Sequence, residues 1–361
     1  MINGKTVVGI TQGDSNGIGY EVIIKALSDP RSLDSFIPVI YGSSKLFAFY
    51  KKTLHEVDQM ETNAISSPEQ AAPKKINILN CLSENVFAEP GEATAVSADA
   101  AIKALERAMQ DIKAGKIDVL VTAPINKNLM AQQGFKYTGH TEYLQDCFGC
   151  KDVVMLMISH RLKVGIVTEH IALKDVPQSI SEEKILSKLR ILNDTLKNDF
   201  RIDNPRIAVL SLNPHSGDNG LLGDEEQKII LPAIRKAVDE GLLAFGPYSS
   251  DGYFGMGHFE QFDATLAMYH DQGLAPFKSL CFSEGVNFTA GLPIVRTSPD
   301  HGTAFDMAGR DQADPLSMRA AIYAAIDIFR NRAEKKTILE GKMPEPEKNE
   351  RGEKGERSQI V

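Results

Sequence analysis

Excess positive charge is missing from this chain. Forty lysines and arginines stand against 48 aspartates and glutamates, a net charge of −8, which leaves no basic footprint for nucleic acid or an anionic membrane surface. An anionic small molecule could bind only where lysine, arginine and backbone N–H groups gather locally. Long apolar runs are missing too. Nothing approaches the roughly 20 residues of a membrane span, and MINGKT passes straight into a strand with no signal-peptide pattern, so the expected compartment is the cytoplasm. Cysteine is scarce, at four in 361 residues. Cys147 and Cys150 have redox-motif spacing, but no second pair follows at zinc-ribbon distance, so they read as reduced cysteines near a helix end. A dinucleotide fingerprint is the last absence. VVGITQGDSNGIGYE, Val7 to Glu21, resembles a strand entering a phosphate loop. Its glycines, Gly13, Gly17 and Gly19, fall as G-x-x-x-G-x-G, not G-x-G-x-x-G. A nicotinamide or nucleotide site must be sought elsewhere.

The chain does have the material of an ordinary globular protein, 42% hydrophobic and 24% charged, and length enough for two domains or one large one. Strand-like runs (VVGI, IPVIYG, DVLVTAP, KVGIVTEH, RIAVLSLNPH, ATLAMYHD) alternate with amphipathic stretches at 93–114, 182–200, 224–240 and 317–331. That alternation predicts an α/β fold with a largely parallel sheet. VVMLMISHRLKVGIVTEH reads as a hairpin turning at Ser159 to Leu162, which makes the sheet mixed. Ser179 to Glu182 and Asp224 to Gln227 have capping-box spacing, and Gly241 reads as a helix stop. Residues 333–361 are charged and poor in apolar side chains and read as a mobile tail.

Three of the eight histidines share one context. His170 follows KVGIVTE, His215 follows IAVLSLNP, and His270 ends ATLAMY. Ligands of open α/β sheets gather outside the carboxyl ends of strands, and three imidazoles with open positions left over suit a catalytic divalent metal. Unrelated loop histidines are the competing reading, and His160, in the hairpin turn, is read that way. YTGHTEYL places His140 and Thr141 at a helix start, where first-turn N–H groups suit a phosphate or carboxylate; Thr141 as a simple N-cap is the plainer local alternative. HDQGLAPFK brings Lys278, and GVNFTAGLPIVRTSPDHG brings Asn287 and Arg296; two basic groups among apolar neighbours suit an anion.

TGHTEYL, TEHIALKD, LNPHSGDNG, AMYHDQGLAPFK and GVNFTAGLPIVRTSPDHGTAFDMAGR together resemble the 4-hydroxythreonine-4-phosphate dehydrogenase family of vitamin B6 biosynthesis, in order from Val7 to Arg330. The resemblance implies two α/β/α domains around a cleft, like isocitrate and isopropylmalate dehydrogenases and unlike a Rossmann fold. Residues 1–130 with 286–332 would form the cofactor side and 131–285 the metal, substrate and dimerisation side. It implies His170, His215 and His270 as ligands of zinc, cobalt or magnesium, and His140, Thr141, Lys278, Asn287 and Arg296 as substrate-binding residues. The loop from His301 to Pro315 is similar to the dinucleotide loop of those dehydrogenases, which puts NAD or NADP along His301, Gly302, Thr303, Ala304 and Asp306. A homodimer sharing its active sites between subunits follows in the same way. Tyr20 departs from the family, standing where relatives usually have proline.

The implied reaction is oxidation of the C3 hydroxyl of 4-phosphooxy-L-threonine by NAD(P), after which the β-keto acid 2-amino-3-oxo-4-phosphooxybutanoate loses carbon dioxide to give 3-amino-2-oxopropyl phosphate. Lys278, Asp251 and Asp271 are the candidates for accepting the proton. Two alternatives stay open. One is a paralogue acting on 4-phosphothreonate or 4-phosphoerythronate, which carry hydroxyl for amine; the other is a metal-dependent lyase or phosphoesterase without nicotinamide.

Overall fold

A computed structural model describes residues 1–341 except Asn3, Glu56, Asp58, Gln59, Glu84 and Asn85. Among the described residues the strands are β1 Thr6–Thr11, β2 Phe36–Gly42, β3 Thr62–Ile65, β4 Ile76–Asn80, β5 Val119–Thr122, β6 Val154–Ile158, β7 Lys163–Thr168, β8 Arg206–Leu210, β9 Leu243–Tyr248, β10 Ala264–Tyr269, β11 Val286–Ala290 and β12 Arg296–Pro299. All join one sheet in the order β3-β4-β2-β1-β5-β12-β11-β6-β7-β10-β8-β9. The apolar runs read from sequence form β1, β2, β5, β7, β8 and β10, and the expected hairpin is β6 against β7. Pairing is parallel except where β11 meets β12 and β6, and where β6 meets β7. Three antiparallel steps in a row reverse the direction of travel. Strands β7, β10, β8 and β9 therefore run opposite to β1–β5 and β12. In sheet order the junction between the two halves expected from sequence is β11 against β6, and the ladder continues across it.

Helices cover both faces, as buried parallel strands require. Ala95–Lys113 starts where the Thr94 side chain accepts from Ser97 N. It buries Ala101, Ala104, Leu105, Ala108 and Ile112, a stripe at helical spacing, against β1, β2 and β5. Fully burying a side chain such as Leu105 contributes about 1.5–3 kcal/mol. Glu182–Asn198 is capped by Ser181, whose oxygen accepts from Lys184 N. Ser179 instead ends the short helix Val176–Ser179, so the expected capping box was placed two residues early. The stretch at 224–240 becomes a π-turn, Glu226–Ile230, and then Leu231–Asp239, closed by Gly241 in a left-handed conformation. The last helix, Leu316–Leu339, runs on through residues 333–339, which the sequence assigns to the tail. Arg332 and Lys335 hold it there by bonding Asp199 and Asn198. Residues 342–361 lie outside the described residues. No described helix is long and apolar enough to cross a membrane.

Candidate active site

A cavity of about 290 Å³ opens where the sheet reverses direction. Register builds its floor: Asn287 on β11 pairs with Met157 on β6 and Ser298 on β12, and all three line the cavity. Arg296, two residues before Ser298, lies on the same face and is only 3% exposed. Its guanidinium donates to Thr122 Oγ1 from Nε (3.1 Å) and Nη2 (2.6 Å), and to Thr289 Oγ1 from Nη1 (3.1 Å). These acceptors are neutral hydroxyls. Burial holds Arg296 down to about 10, with the Glu142 charge opposing, and a buried charge without an adjacent counter-charge costs several kcal/mol. The arrangement calls for an anion.

The other walls fit that demand. The helix His140–Phe148 begins at Gly139 with no side-chain cap, and its first turn lines the cavity, so its N–H groups are available there. Thr141 is inside that turn, and the simple N-cap reading falls. His140 is buried, its Nε2 lacks a protein partner, and burial, then the charges of Arg296 and Lys127, keep the imidazole neutral well below its usual range. Lys278 reaches in from the helix His270–Cys281 and pairs with Asp300 Oδ1 at 3.1 Å. Asn287 Oδ1, Asp300 Oδ2 and His301 Nε2 are likewise buried without a partner. Buried polar atoms left unpaired in this way mark a place that awaits a polar ligand or water.

The metal candidates divide. His170, His270 and His215 follow β7, β10 and β8, adjacent in the sheet. His170 and His270 line the cavity with ring centroids 5.9 Å apart. His270 Nδ1 bonds Asp271 Oδ1 at 2.7 Å, which fixes the ring and leaves Nε2 to coordinate, the usual support for a metal-binding imidazole. These two fit a divalent cation. His215 does not line the cavity; it is exposed, in a stretch from His215 to Asn219 held in left-handed backbone. Among the described residues the three rings do not bring ligand atoms within 4.8 Å of one another, whereas Glu142, Glu169 and His170 do.

Two proton-accepting candidates fall outside the cavity. Asp271 is exposed and orients His270. Asp251, also exposed, is held below its usual range by a backbone bond from Gly252 and by Ser249. Lys278 alone of the three lines the cavity. On the cofactor loop His301 and Gly302 reach the cavity, but Thr303, Ala304 and the exposed Asp306 do not. Thr303 O instead accepts from Ile18 N at 3.0 Å, so this loop packs on the glycine turn that opens the chain. Sequence reasoning missed Lys127, Glu142 and Asp300, all of which line the cavity. Lys127 stands just past the end of β5, and the strand-end argument used for the histidines would have found it.

The model of the family described as pyridoxal phosphate biosynthetic protein PdxA matches residues 34–325. A 4-hydroxythreonine-4-phosphate dehydrogenase of Bacteroides thetaiotaomicron is 47% identical, over 93% of this chain and 92% of its own length. A protein of Oceanobacillus iheyensis, provisionally named a D-threonate 4-phosphate dehydrogenase, is 38% identical over 90% of this chain and 98% of its own. The crystal structure of 4-hydroxythreonine-4-phosphate dehydrogenase from Klebsiella pneumoniae superposes with a TM-score of 0.79 at 34% identity, covering 91% of this chain and 99% of that one. With its mixed sheet, its anion-seeking cavity and these matches, the chain belongs to the PdxA family of dehydrogenases.

Proposed function

We propose that the chain oxidises 4-phosphooxy-L-threonine at its C3 hydroxyl with NAD or NADP, giving a β-keto acid that decarboxylates to 3-amino-2-oxopropyl phosphate in pyridoxal phosphate biosynthesis in the cytoplasm. The observation that carries this reading is Arg296, a buried cation bonded only to hydroxyls at the floor of the cavity. Arg296, the first turn at His140 and Thr141, and Asn287 would hold the phosphate and carboxylate and so fix the orientation of C3. NAD or NADP, when bound, would supply the hydride acceptor, and Lys278, which pairs with Asp300, is the group placed to handle the hydroxyl proton. His170 and His270 would hold a zinc, cobalt or magnesium ion, which would supply Lewis-acid chemistry toward the hydroxyl. His301 to Asp306 would hold NAD or NADP, and the unpartnered His301 Nε2 is a polar atom free to bond it.

The working form is a homodimer. Exposed Ile171 and Leu173 follow His170, and exposed Leu221 and Leu222 follow the His215 stretch; a second copy would cover these side chains and bring its own His215 to the cavity. The likeness to the Oceanobacillus protein supports a second reading, in which 4-phosphothreonate replaces the amino substrate. Incubation with each substrate, NAD and cobalt, following nicotinamide reduction, tests both. The amino compound is expected to turn over faster. No reduction with either would overturn the dehydrogenase reading, and faster turnover of the hydroxy compound would select the second.

A further inference from the structure

Lys127 is the cavity-lining cation that no part of this reaction has used. It opens the helix Lys127–Gln132 directly after β5, where the Asn126 side chain caps the turn by accepting from Leu129 N. Its ammonium donates to His170 Nε2 across 3.4 Å. A ring nitrogen that accepts must be unprotonated, which leaves the ring proton on Nδ1 and makes Nε2 the nitrogen able to coordinate. One lone pair cannot serve an ammonium and a metal ion together. His170 also brings a ligand atom within 4.8 Å of Glu142 and Glu169, so this corner favours a cation. The anion-seeking floor at Arg296 lines the same cavity. Gly139 lets the helix start lie close to the corner at Lys127: a Cβ there would stand 3.3 Å from Lys127 Cε and 3.4 Å from Glu142 Oε2.

We propose that Lys127 is the resident cation of the metal-free site, occupying the coordinating nitrogen of His170, and that metal entry releases its ammonium to bind the anionic substrate. The four-carbon stem is exposed and flexible enough to swing between the two partners. Lys127 is thus a positioning residue acting through His170, and it makes metal occupancy and substrate binding help one another. The inference rests on the proposed role of His170 as a metal ligand.

The test measures two affinities in Lys127→Met, a change at an exposed position whose folding is checked by its melting curve. Cobalt is titrated into metal-free protein against a chromogenic chelator. Then 4-phosphooxy-L-threonine is titrated calorimetrically into cobalt-loaded protein without nicotinamide. Removing a nearby positive charge and a competitor for Nε2 should tighten cobalt about fivefold or more, while loss of an anion contact weakens the substrate about tenfold. A merely structural role would move both affinities in the same direction. Cobalt binding that is unchanged or weaker in Lys127→Met overturns the proposal. Wild-type protein that binds no cobalt, or His170→Ala that binds it as tightly as wild type, overturns the metal reading beneath it.

Discussion

The turn at Gly13–Glu21 and the cavity at Arg296 are both crowded with buried polar groups, yet only one is built to receive a ligand. In the turn, charges are answered from within. Glu21 Oε1 accepts from Lys25 (2.9 Å) and from Ala313 N (2.7 Å), and Lys25 also pairs with Asp311 at 2.7 Å. Burial works against the Asp311 charge, but bonds from Lys25 and His55 outweigh it and hold its carboxyl down to about 2. Asn16 ties the turn to Glu89, Glu92 and Thr94, and Asp14 N bonds Pro124 O at the cavity wall. Tyr20, in the family's proline position, is fully buried and donates to Gln12. Orphaned atoms occur here too, Asp14 Oδ2 and Glu21 Oε2 among them, so counting orphans does not separate the regions. Sign does. The turn's leftovers are acidic or neutral, whereas the cavity floor holds Arg296, a buried cation bonded only to hydroxyls. A glycine-rich turn can look like a phosphate loop and be a clamp between two chain segments.

The sharpest way to break this contrast is at the cavity's imidazoles. His170→Ala or His270→Ala should lower kcat/KM by about a hundredfold or more, some 2.7 kcal/mol, as should chelation reversed by added cobalt. His160→Ala, on an exposed turn beside Glu284, should do little; equal losses at all three would show that the assay reads folding. Sharing of the site is checked by co-expressing His215→Ala with His270→Ala under different tags. Each mixed dimer would hold one intact site, so random mixing should restore about a quarter of wild-type activity, and no recovery in confirmed mixed dimers would put His215 in its own chain's site.

The clamp makes a smaller prediction. A Cβ on Gly17 would stand 2.7 Å from Thr303 O, so Gly17→Ala should destabilise by about 1–3 kcal/mol. Because the displaced atom lies in the proposed cofactor loop, KM for NAD should rise several-fold while KM for substrate stays within about twofold. The contact with Thr303 couples this turn to the proposed cofactor loop.

The smallest effect is in pH. His140 stays neutral in the fold, while an unfolded histidine takes up a proton near 6.5. The unfolded state therefore binds more protons below that pH, and stability is lost as pH falls through about 6.5. Partial burial puts His301 in the same class. Asp14 in the turn has the opposite sign, since burial raises its pKa and acidification relieves it. Melting temperatures from pH 8 to 5 should fall, and His140→Gln should flatten the decline.

Much of the fold could be read because it is written in long β-branched runs such as Val7–Ile10 and Lys163–Thr168. The strands not singled out, TNAI and RTSP among them, are short and polar; RTSP is made a strand by burial within the sheet, and TNAI, a mostly exposed edge strand, by its pairing with β4. The cavity's members were found by chemistry at strand ends, but not their grouping. Which of Lys278, Asp251 and Asp271 enters depends on helix rotation, and His215 opens a left-handed stretch whose Gly, Asp and Asn favour that backbone without saying where it points the imidazole. Arg296 was noticed as a basic residue among apolar ones; that it is a charge facing only hydroxyls depends on the β11–β12 register.

That unpaired charge is the centre of the account, and substrate-induced thermal stabilisation tests it most directly. Melting temperature is measured with and without 4-phosphooxy-L-threonine for wild type, Gly17→Ala and Arg296→Met. Saturating ligand should raise the midpoint of wild type and Gly17→Ala by about 2–5 °C. Arg296→Met, freed of a buried charge, should melt at or above wild type without ligand and gain nothing from it. A variant that melts several degrees lower, or keeps the ligand shift, would show that Arg296 holds the fold and that the anion binds elsewhere.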